Sequence, residues 1–492
     1  MHLQIKPRKS VNKSRDENGS KWKRIAKSAL LNTRNYIESF LRLSGIHGFF
    51  YLAKRGLTLI EKFFWVILLI ISLFFCVQNA LQSIDRYNTK NTVVSLERDY
   101  YYWRTKTTGI TICPMTRLNM TLFDKFYNRK EEFYDFMEKL ANSTFMNFDR
   151  IPEYNSIDNI LDQLHISPRD YMKLIYNLTG DASLSMDLHN RVRTEVDAQM
   201  VHTRQVLTEW GLCYMANTML SMQFTAKYMI YGEVPKEYTR VEAGDYEVSE
   251  ASYFENDLVY NIKGFKSSMF IFIHSVYEVM NINRKLGFYS IPASCTIETM
   301  PIITEDQFKE RTTLTQRKCR FSSESNLVHY PIYTKNMCLQ ECRLNLAYRL
   351  CQCIPHFYPN RIKNPKPVCS YKKLKFCFPQ HEPGTHGHDQ DEESGDFECN
   401  CMDNCRDADI IITNPVFESS TLFGSLGVMV YMRKYPTFRL KRQIIFTFTD
   451  LLVSIGGSAG LFLGFSVLSA IEIIYYFTLR LIWFKQIKTI TQ

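Results

Sequence analysis

The chain has 492 residues, 45% of them apolar and 22% charged, enough to bury cores for about three globular units and too apolar for a disordered chain. A mean hydropathy of −0.22 excludes a protein built from many membrane helices. The net charge of +10 sits at the ends. Residues 1–62 carry fourteen basic and four acidic residues, and 63–479 carry 43 basic and 46 acidic. A folded middle without a basic excess argues against nucleic acid as a partner.

The first element after the basic segment is Phe63 to Val77, FFWVILLIISLFFCV, without one charge. With the residues up to 82 it reaches the ~20 residues that a bilayer needs. It follows 62 residues and precedes no small-residue cleavage site, so it reads as a retained transmembrane helix, 63–82, rather than a signal peptide. The positive-inside rule places 1–62 in the cytoplasm and 83–443 outside. The sequons at Asn119, Asn142 and Asn177 fall in that outer stretch and are expected to be glycosylated. Those at Asn12 and Asn18 are expected to stay bare.

Within 83–443, the spacing of Phe123, Phe126, Tyr127, Lys130, Phe133, Tyr134, Met137 and Leu140 predicts one amphipathic helix over 121–140. Ten of the 14 cysteines crowd into 319–405. Their C-x3-C and C-x-C spacings fit zinc, but outside the cell disulfides are the stronger reading. TKNMCLQECRLNLAYRL (334–350) reads as a helix with Cys338 and Cys342 on one face. A second arm with Cys399, Cys401 and Cys405 can run antiparallel to it and close nested bridges. The tract 381–398 reads as a solvated loop, with ion binding or proton sensing by His381, His386 and His388 as the alternative. Strand-like runs appear over 421–449. The class is α+β.

From Ile444 to Phe477, 34 residues, only Asp450 and Glu472 are charged. One straight helix of that length spans about 51 Å, well beyond the ~30 Å hydrocarbon core. The second span, 444–478, is therefore expected to tilt or break, most cheaply within IGGSAGLFLGFS, before a short cytoplasmic tail, 479–492. Gly456-Gly457-Ser458-Ala459-Gly460 matches a hydrolase nucleophile elbow, but it sits inside this span with no strand before it. No catalytic residues, cofactor or metal site are read, so the chain is not taken for an enzyme. Gly456, Gly460 and Gly464 recur every four residues and are expected on one helix face, either for plain packing or for several copies converging on an axis. Ser458, Ser466, Ser469 and Glu472 add polar groups that would line such a pathway.

GLCYMAN (211–217) resembles the G-x-C-Y-x-x-N signature of the degenerin/epithelial sodium channel superfamily. TGITIC (108–113) resembles its post-span motif, SGIHGF (44–49) carries its His-Gly pair, and LLVSIGGSAGLFLGFSVLSAIEI (451–473) resembles its second span. The resemblance runs from 44 to 477, and the insect pickpocket branch is the nearest guess within it.

The resemblance implies chalice-shaped trimers at the plasma membrane, with two spans per subunit and both termini cytoplasmic. The ectodomain would have palm, knuckle, finger, β-ball and thumb parts. It implies the bridges Cys113–Cys213, Cys319–Cys405, Cys338–Cys401, Cys342–Cys399, Cys351–Cys377 and Cys353–Cys369, leaving Cys295 odd. It implies a selectivity filter at Gly464, Phe465 and Ser466, a gate at Val453 and a gating motif at His47 and Gly48. The partners implied are sodium ions, membrane lipid and related subunits in a homo- or heterotrimer. The function implied is a voltage-independent, amiloride-sensitive sodium channel gated by an extracellular stimulus. Gly109 stands where alanine is usual and Thr107-Thr108 where Phe-Pro is usual, so the first linker is expected to be less rigid. Phe465 and Val453 are bulkier than usual, which bears on the filter's width and on the gate. The alternative is a non-conducting two-span receptor, or an auxiliary subunit working only in heteromers. ATP-gated channels share the two-span topology but lack GLCYMAN.

Overall fold

The computed structural model describes residues 33–483, except 128–130, 146, 155, 181–184, 191–198, 202, 221–224, 233–247, 255–257, 264–267, 283–292, 306, 382–398, 418–427, 433 and 481. Of the histidine tract, His386 and His388 with the rest of 382–398 lie outside the described residues, as do Asn12, Asn18 and the tail from 484, while His381 ends a short 3-10 helix, Phe378–His381. The chain forms two compact units, one of residues 93–443 and one of residues 1–92 with 444–492.

The larger unit is mixed α and β. Its four-stranded antiparallel sheet has the order Met269–His274, Gly109–Pro114, Gly211–Ala216, Thr203–Thr208. The two middle strands are buried on both faces, so this antiparallel sheet is covered on both sides there. Its larger sheet is built around Ala293–Ile303, which pairs antiparallel with Asp407–Phe417 and parallel with Val428–Met432 and Arg439–Ile444. Within the stretch predicted as strand-like, 421–449, Val428–Met432 and Arg439–Ile444 are strands, whereas 445–447 are not and Phe448 already begins a helix.

The GLCYMAN residues explain themselves here. Gly211 has φ +77°, and a Cβ on it would stand 2.0 Å from Arg117 Nη1. Cys213 bridges to Cys113 on the neighbouring strand with Cα atoms 4.4 Å apart. Asn217, itself at φ +50°, donates from Nδ2 to Thr107 Oγ1 at 2.9 Å and to the Thr108 carbonyl at 2.7 Å, while its Oδ1 accepts the Ser249 N–H at 2.8 Å. Thr107 and Thr108, both buried, thus tie the linker by hydrogen bonds rather than leaving it loose. A side chain on Gly109 would stand 2.8 Å from the His274 ring, which fills that space.

The predicted helix over 121–140 is two helices, Met120–Tyr127 and Glu131–Ala141. The rings of Phe123 and Phe133 are 5.5 Å apart, whereas ten residues of straight helix would separate them by about 15 Å. Both helices bury aromatic side chains in one core with Phe148, Tyr171 and Phe357.

The helix predicted before Cys351 runs from Lys335 to Cys351, capped by Thr334. Cys338 and Cys342 project from consecutive turns to Cys401 and Cys399, and Cys319 meets Cys405. Cys351–Cys377 and Cys353–Cys369 complete six disulfides with the implied pairings. Twelve of the cysteines are therefore spent in bridges, which removes the zinc reading. Cys295 and Cys76 are buried and free.

Among the described residues of the smaller unit, one helix, Leu59–Thr89, is long and apolar enough to cross a membrane. It exceeds the uncharged run because Thr58 and Glu61 cap its start reciprocally and its polar end continues to Thr89. The second apolar stretch is two helices, Phe448–Leu463 and Val467–Tyr475, the latter continued by a π-helical turn at Tyr476–Arg480; Phe448–Leu463 and Val467–Arg480 pass the same test only together and are bent by 75°. The expected break falls at Gly464–Ser466.

Candidate functional site

Gly464 ends its helix at φ +62° and donates to the Gly460 carbonyl at 2.9 Å. The left-handed conformation at a helix end is the one glycine adopts without a Cβ penalty. Gly464, four residues beyond Gly460, thus caps the helix rather than continuing it. It closes the helix, and a Cβ on Gly456 would meet nothing within 4 Å. Two residues on, Ser466 caps the next helix. Its Oγ accepts the Ser469 N–H at 3.2 Å, and Ser469 Oγ accepts the Ser466 N–H at 3.3 Å. Between the helices Gly464 is left-handed and Ser466 extended. Among the described residues, the Gly464 and Phe465 carbonyls accept no hydrogen bond.

The amino-terminal segment packs into this break. The His47 N–H donates to the Leu463 carbonyl at 3.0 Å, satisfying one of the carbonyls that the helix end leaves open. The His47 ring fills the Cβ-less side of Gly464. Gly48 has φ +91°, and a Cβ on it would press on Leu69 Cδ2 at 2.9 Å. The Gly45 N–H donates to Glu472 Oε2 at 3.1 Å. Further along, Phe40 packs on Tyr476 and Phe477 with ring centroids 5.3 and 5.4 Å apart. Sequence reading named His47, Gly48 and Gly464 but did not bring them together, because no spacing rule links residues so far apart in the chain.

Val453 is 68% exposed, one residue from Ser454, whose Oγ lies 2.8 Å from Ser83 Oγ on the long helix. The Ser83 hydroxyl already donates to the Asn79 carbonyl at 2.9 Å, so Ser454 is the donor in this pair. The long helix covers Ser454 and leaves Val453 open. Of the sequons, Asn119 and Asn177 are exposed and Asn142 is half-buried.

The family model described as amiloride-sensitive sodium channel matches residues 40–476. The chain belongs to the amiloride-sensitive sodium channel family. The family is one of ion channels, not enzymes, with a disulfide-rich mixed α/β ectodomain and members at the plasma membrane. Pickpocket protein 28 of Drosophila melanogaster is 28% identical over 188 residues, 33% of this chain and 30% of that protein. The sodium channel protein Nach of Drosophila virilis is 28% identical over 181 residues, 34% of this chain and 45% of that protein. These matches span less than half of the relatives' own length. The bile acid-sensitive ion channel of Mus musculus is 19% identical over 484 residues, 92% of this chain and 89% of that protein.

Proposed function

We propose that this chain is a subunit of a trimeric, voltage-independent, sodium-selective cation channel, sensitive to amiloride and gated by a stimulus on its ectodomain. Residues 1–62 and 479–492 lie in the cytoplasm, 63–82 and 444–478 cross the membrane, and 83–443 face outward. The partners are sodium ions, lipid, and either copies of the chain or related subunits. The filter is Gly464-Phe465-Ser466, where carbonyl and hydroxyl oxygens replace an ion's water. Val453 is the gate. His47 and Gly48 set the opening equilibrium from beneath.

The observation that supports this reading best is the helix break at Gly464, with its open carbonyls and the His47 loop below. Three such breaks around an axis present a narrow ring of oxygens, and Glu472 places an anion on the approach from the inner side. The test is current in oocytes expressing the chain alone and with its pickpocket-type relatives, with Ser466→Leu beside wild type. Sodium-selective current that Ser466→Leu abolishes or renders less selective at equal surface level supports the assignment. Current with unchanged reversal potential places the filter elsewhere. Silence in every combination, with the chain at the surface, defeats the conducting reading.

A further inference from the structure

Residues 33–43 are helical and lead into the His47 loop. The Tyr36 hydroxyl ties this helix to the far end of the second span. It donates to the carbonyl of Tyr476, 440 residues along the chain. Tyr476 opens the π-helical turn Tyr476–Arg480, a winding that recurs at functional sites. One turn after Tyr36, Phe40 packs on the same Tyr476 ring. The Gly45 N–H on Glu472 and the His47 N–H on Leu463 follow. Tyr36 thus begins a row of holds that runs up to the break at Gly464.

A cation stands beside this contact. The Arg480 guanidinium lies over the Tyr476 ring, 4.8 Å from its centroid. Burial raises the Tyr36 hydroxyl above its ordinary value, while the charge of Arg480 acts in the opposite direction. Arg480 is therefore within electrostatic reach of the Tyr36 oxygen. The other charged groups on this side are engaged with one another, since Glu38 meets Arg42 at 2.7 Å and Arg55 at 3.2 Å.

A tyrosine hydroxyl donates to a carbonyl, but a phosphotyrosine has only acceptor oxygens and a charge of about −2. Against the Tyr476 carbonyl it is repelled. Against Arg480 it forms a charge-assisted pair. Residues 1–62 hold two tyrosines, Tyr36 and Tyr51, and 479–492 hold none. Tyr51 stacks on Trp65 with ring centroids 4.1 Å apart and makes none of these holds. Tyr36 is half-buried, and its neighbours Arg34, Asn35 and Ile37 are exposed.

We propose that Tyr36 is a phosphorylation site for a protein tyrosine kinase, and that its phosphate turns from the Tyr476 carbonyl to Arg480 and frees the helix and the His47 loop from the second span. The Tyr36 Oη attacks the γ-phosphorus of ATP. The Oη–P bond forms, the bond from that phosphorus to the β–γ bridging oxygen breaks, ADP leaves, and the phenol proton passes to a base of the kinase. The kinase takes the released form of the segment, and the phosphate prevents its return. The site rests on the reading that 1–62 is cytoplasmic, where ATP and kinases are found, and does not depend on whether the chain conducts.

The test uses the full chain, purified in detergent from cells that co-express a broad-specificity cytoplasmic tyrosine kinase. Phosphate is mapped by mass spectrometry, and amide hydrogen exchange is compared before and after phosphatase. Phosphate is expected on Tyr36. The His47 amide should exchange several-fold faster in the phosphorylated chain and slow again after phosphatase. Tyr36→Phe keeps the ring and should fold, and its His47 exchange should not respond to phosphatase. In Arg480→Gln the phosphatase should strip Tyr36 several-fold faster, because the phosphate has lost its partner. A chain that carries no phosphate on Tyr36, or carries it on Tyr51 alone, overturns the site. A phosphorylated chain with unchanged His47 exchange overturns the release, and equal stripping rates overturn the capture by Arg480. Sugar on Asn12 or Asn18 would defeat the cytoplasmic reading itself, an outcome distinct from all of these.

Discussion

The imidazole of His47 stands where a side chain on residue 464 would go: a Cβ there would lie 1.5 Å from His47 Nδ1. Residue 464 is thus glycine for two reasons. Its backbone is left-handed, and its missing side chain is the seat of a loop from the other end of the chain.

Gly464→Ala is therefore expected to cost more than the ~1 kcal/mol of a left-handed alanine. His47 must leave, and with it the hydrogen bond to Leu463. Current or surface level should fall sharply. The double variant His47→Gly, Gly464→Ala should recover part of the loss, because the clash goes and only the backbone cost remains. Surface biotinylation with current recording checks this. A double variant as impaired as the sum of the singles shows that the two residues do not share the site.

The ectodomain should lose stability as pH rises toward neutral. Asn404 Nδ2 bridges two carboxyl groups, donating to Glu278 Oε2 at 2.7 Å and to Asp407 Oδ2 at 3.0 Å. Burial first, and then the neighbouring Asp407 carboxylate, push Glu278 up to about 7. Burial also raises Asp407. A carboxyl whose folded value is raised binds its proton more tightly when folded. Its stabilising share is fully present below the ordinary value of 4.5 and is lost as pH climbs through about 7. For a shift of this size the loss amounts to up to about 3 kcal/mol. The apparent Tm should drop between about pH 5 and about pH 8, and Glu278→Gln should flatten that drop. A Glu278→Gln chain with an unaltered pH profile would assign the loss to other groups.

Much of this was legible beforehand, for reasons tied to particular residues. The uncharged run from Phe63 and the cysteine array announce themselves locally, and the 34-residue apolar stretch from Ile444 was too long to stay straight. The division into one helix ending at Tyr127 and another starting at Glu131 was hidden because the aromatic spacing stays in helical phase across it. Gly464 looked like the third glycine of a packing face, because a four-residue repeat cannot distinguish a helical glycine from a capping one. The seating of His47 on Gly464 and the Tyr36 hold on Tyr476 are tertiary facts with no local signature.

Glycans should occupy two sequons rather than the three expected from the pattern. A glycan joins the Asn side-chain nitrogen and needs surface room. Asn119 is exposed, and its Oδ1 accepts from the Thr121 N–H and hydroxyl at 3.1 and 2.6 Å. Asn177 is exposed and uses its Oδ1 for the Tyr231 hydroxyl at 2.8 Å. The Asn142 Nδ2 instead donates to the Glu138 carbonyl at 3.0 Å and to Glu138 Oε1 at 2.9 Å, and Thr144 is buried. Mass-spectrometric mapping should find sugar on Asn119 and Asn177 and bare Asn142. Full occupancy of Asn142 would mean that this helix end opens in the mature protein.

Val453→Phe should hold the channel open. Val453 lies about three turns outward from Gly464 at ~3.6 residues per turn, and it is 68% exposed. Its own long helix does not cover it, so in the proposed trimer its neighbours are lipid or the second spans of the other subunits. If three spans draw together here on closing, added side-chain volume costs ~1–3 kcal/mol per overpacked site. The open arrangement escapes that cost. Three symmetric copies multiply it, and a bias of that size can invert a two-state equilibrium. The expected result is a standing inward sodium current without any stimulus, blocked by amiloride. If Val453 faces lipid, the phenylalanine is accommodated, because lipid tails yield where a helix bundle does not. Resting current then stays at the wild-type level with the chain at the surface. In a channel shown to conduct, that result would remove Val453 from the gate.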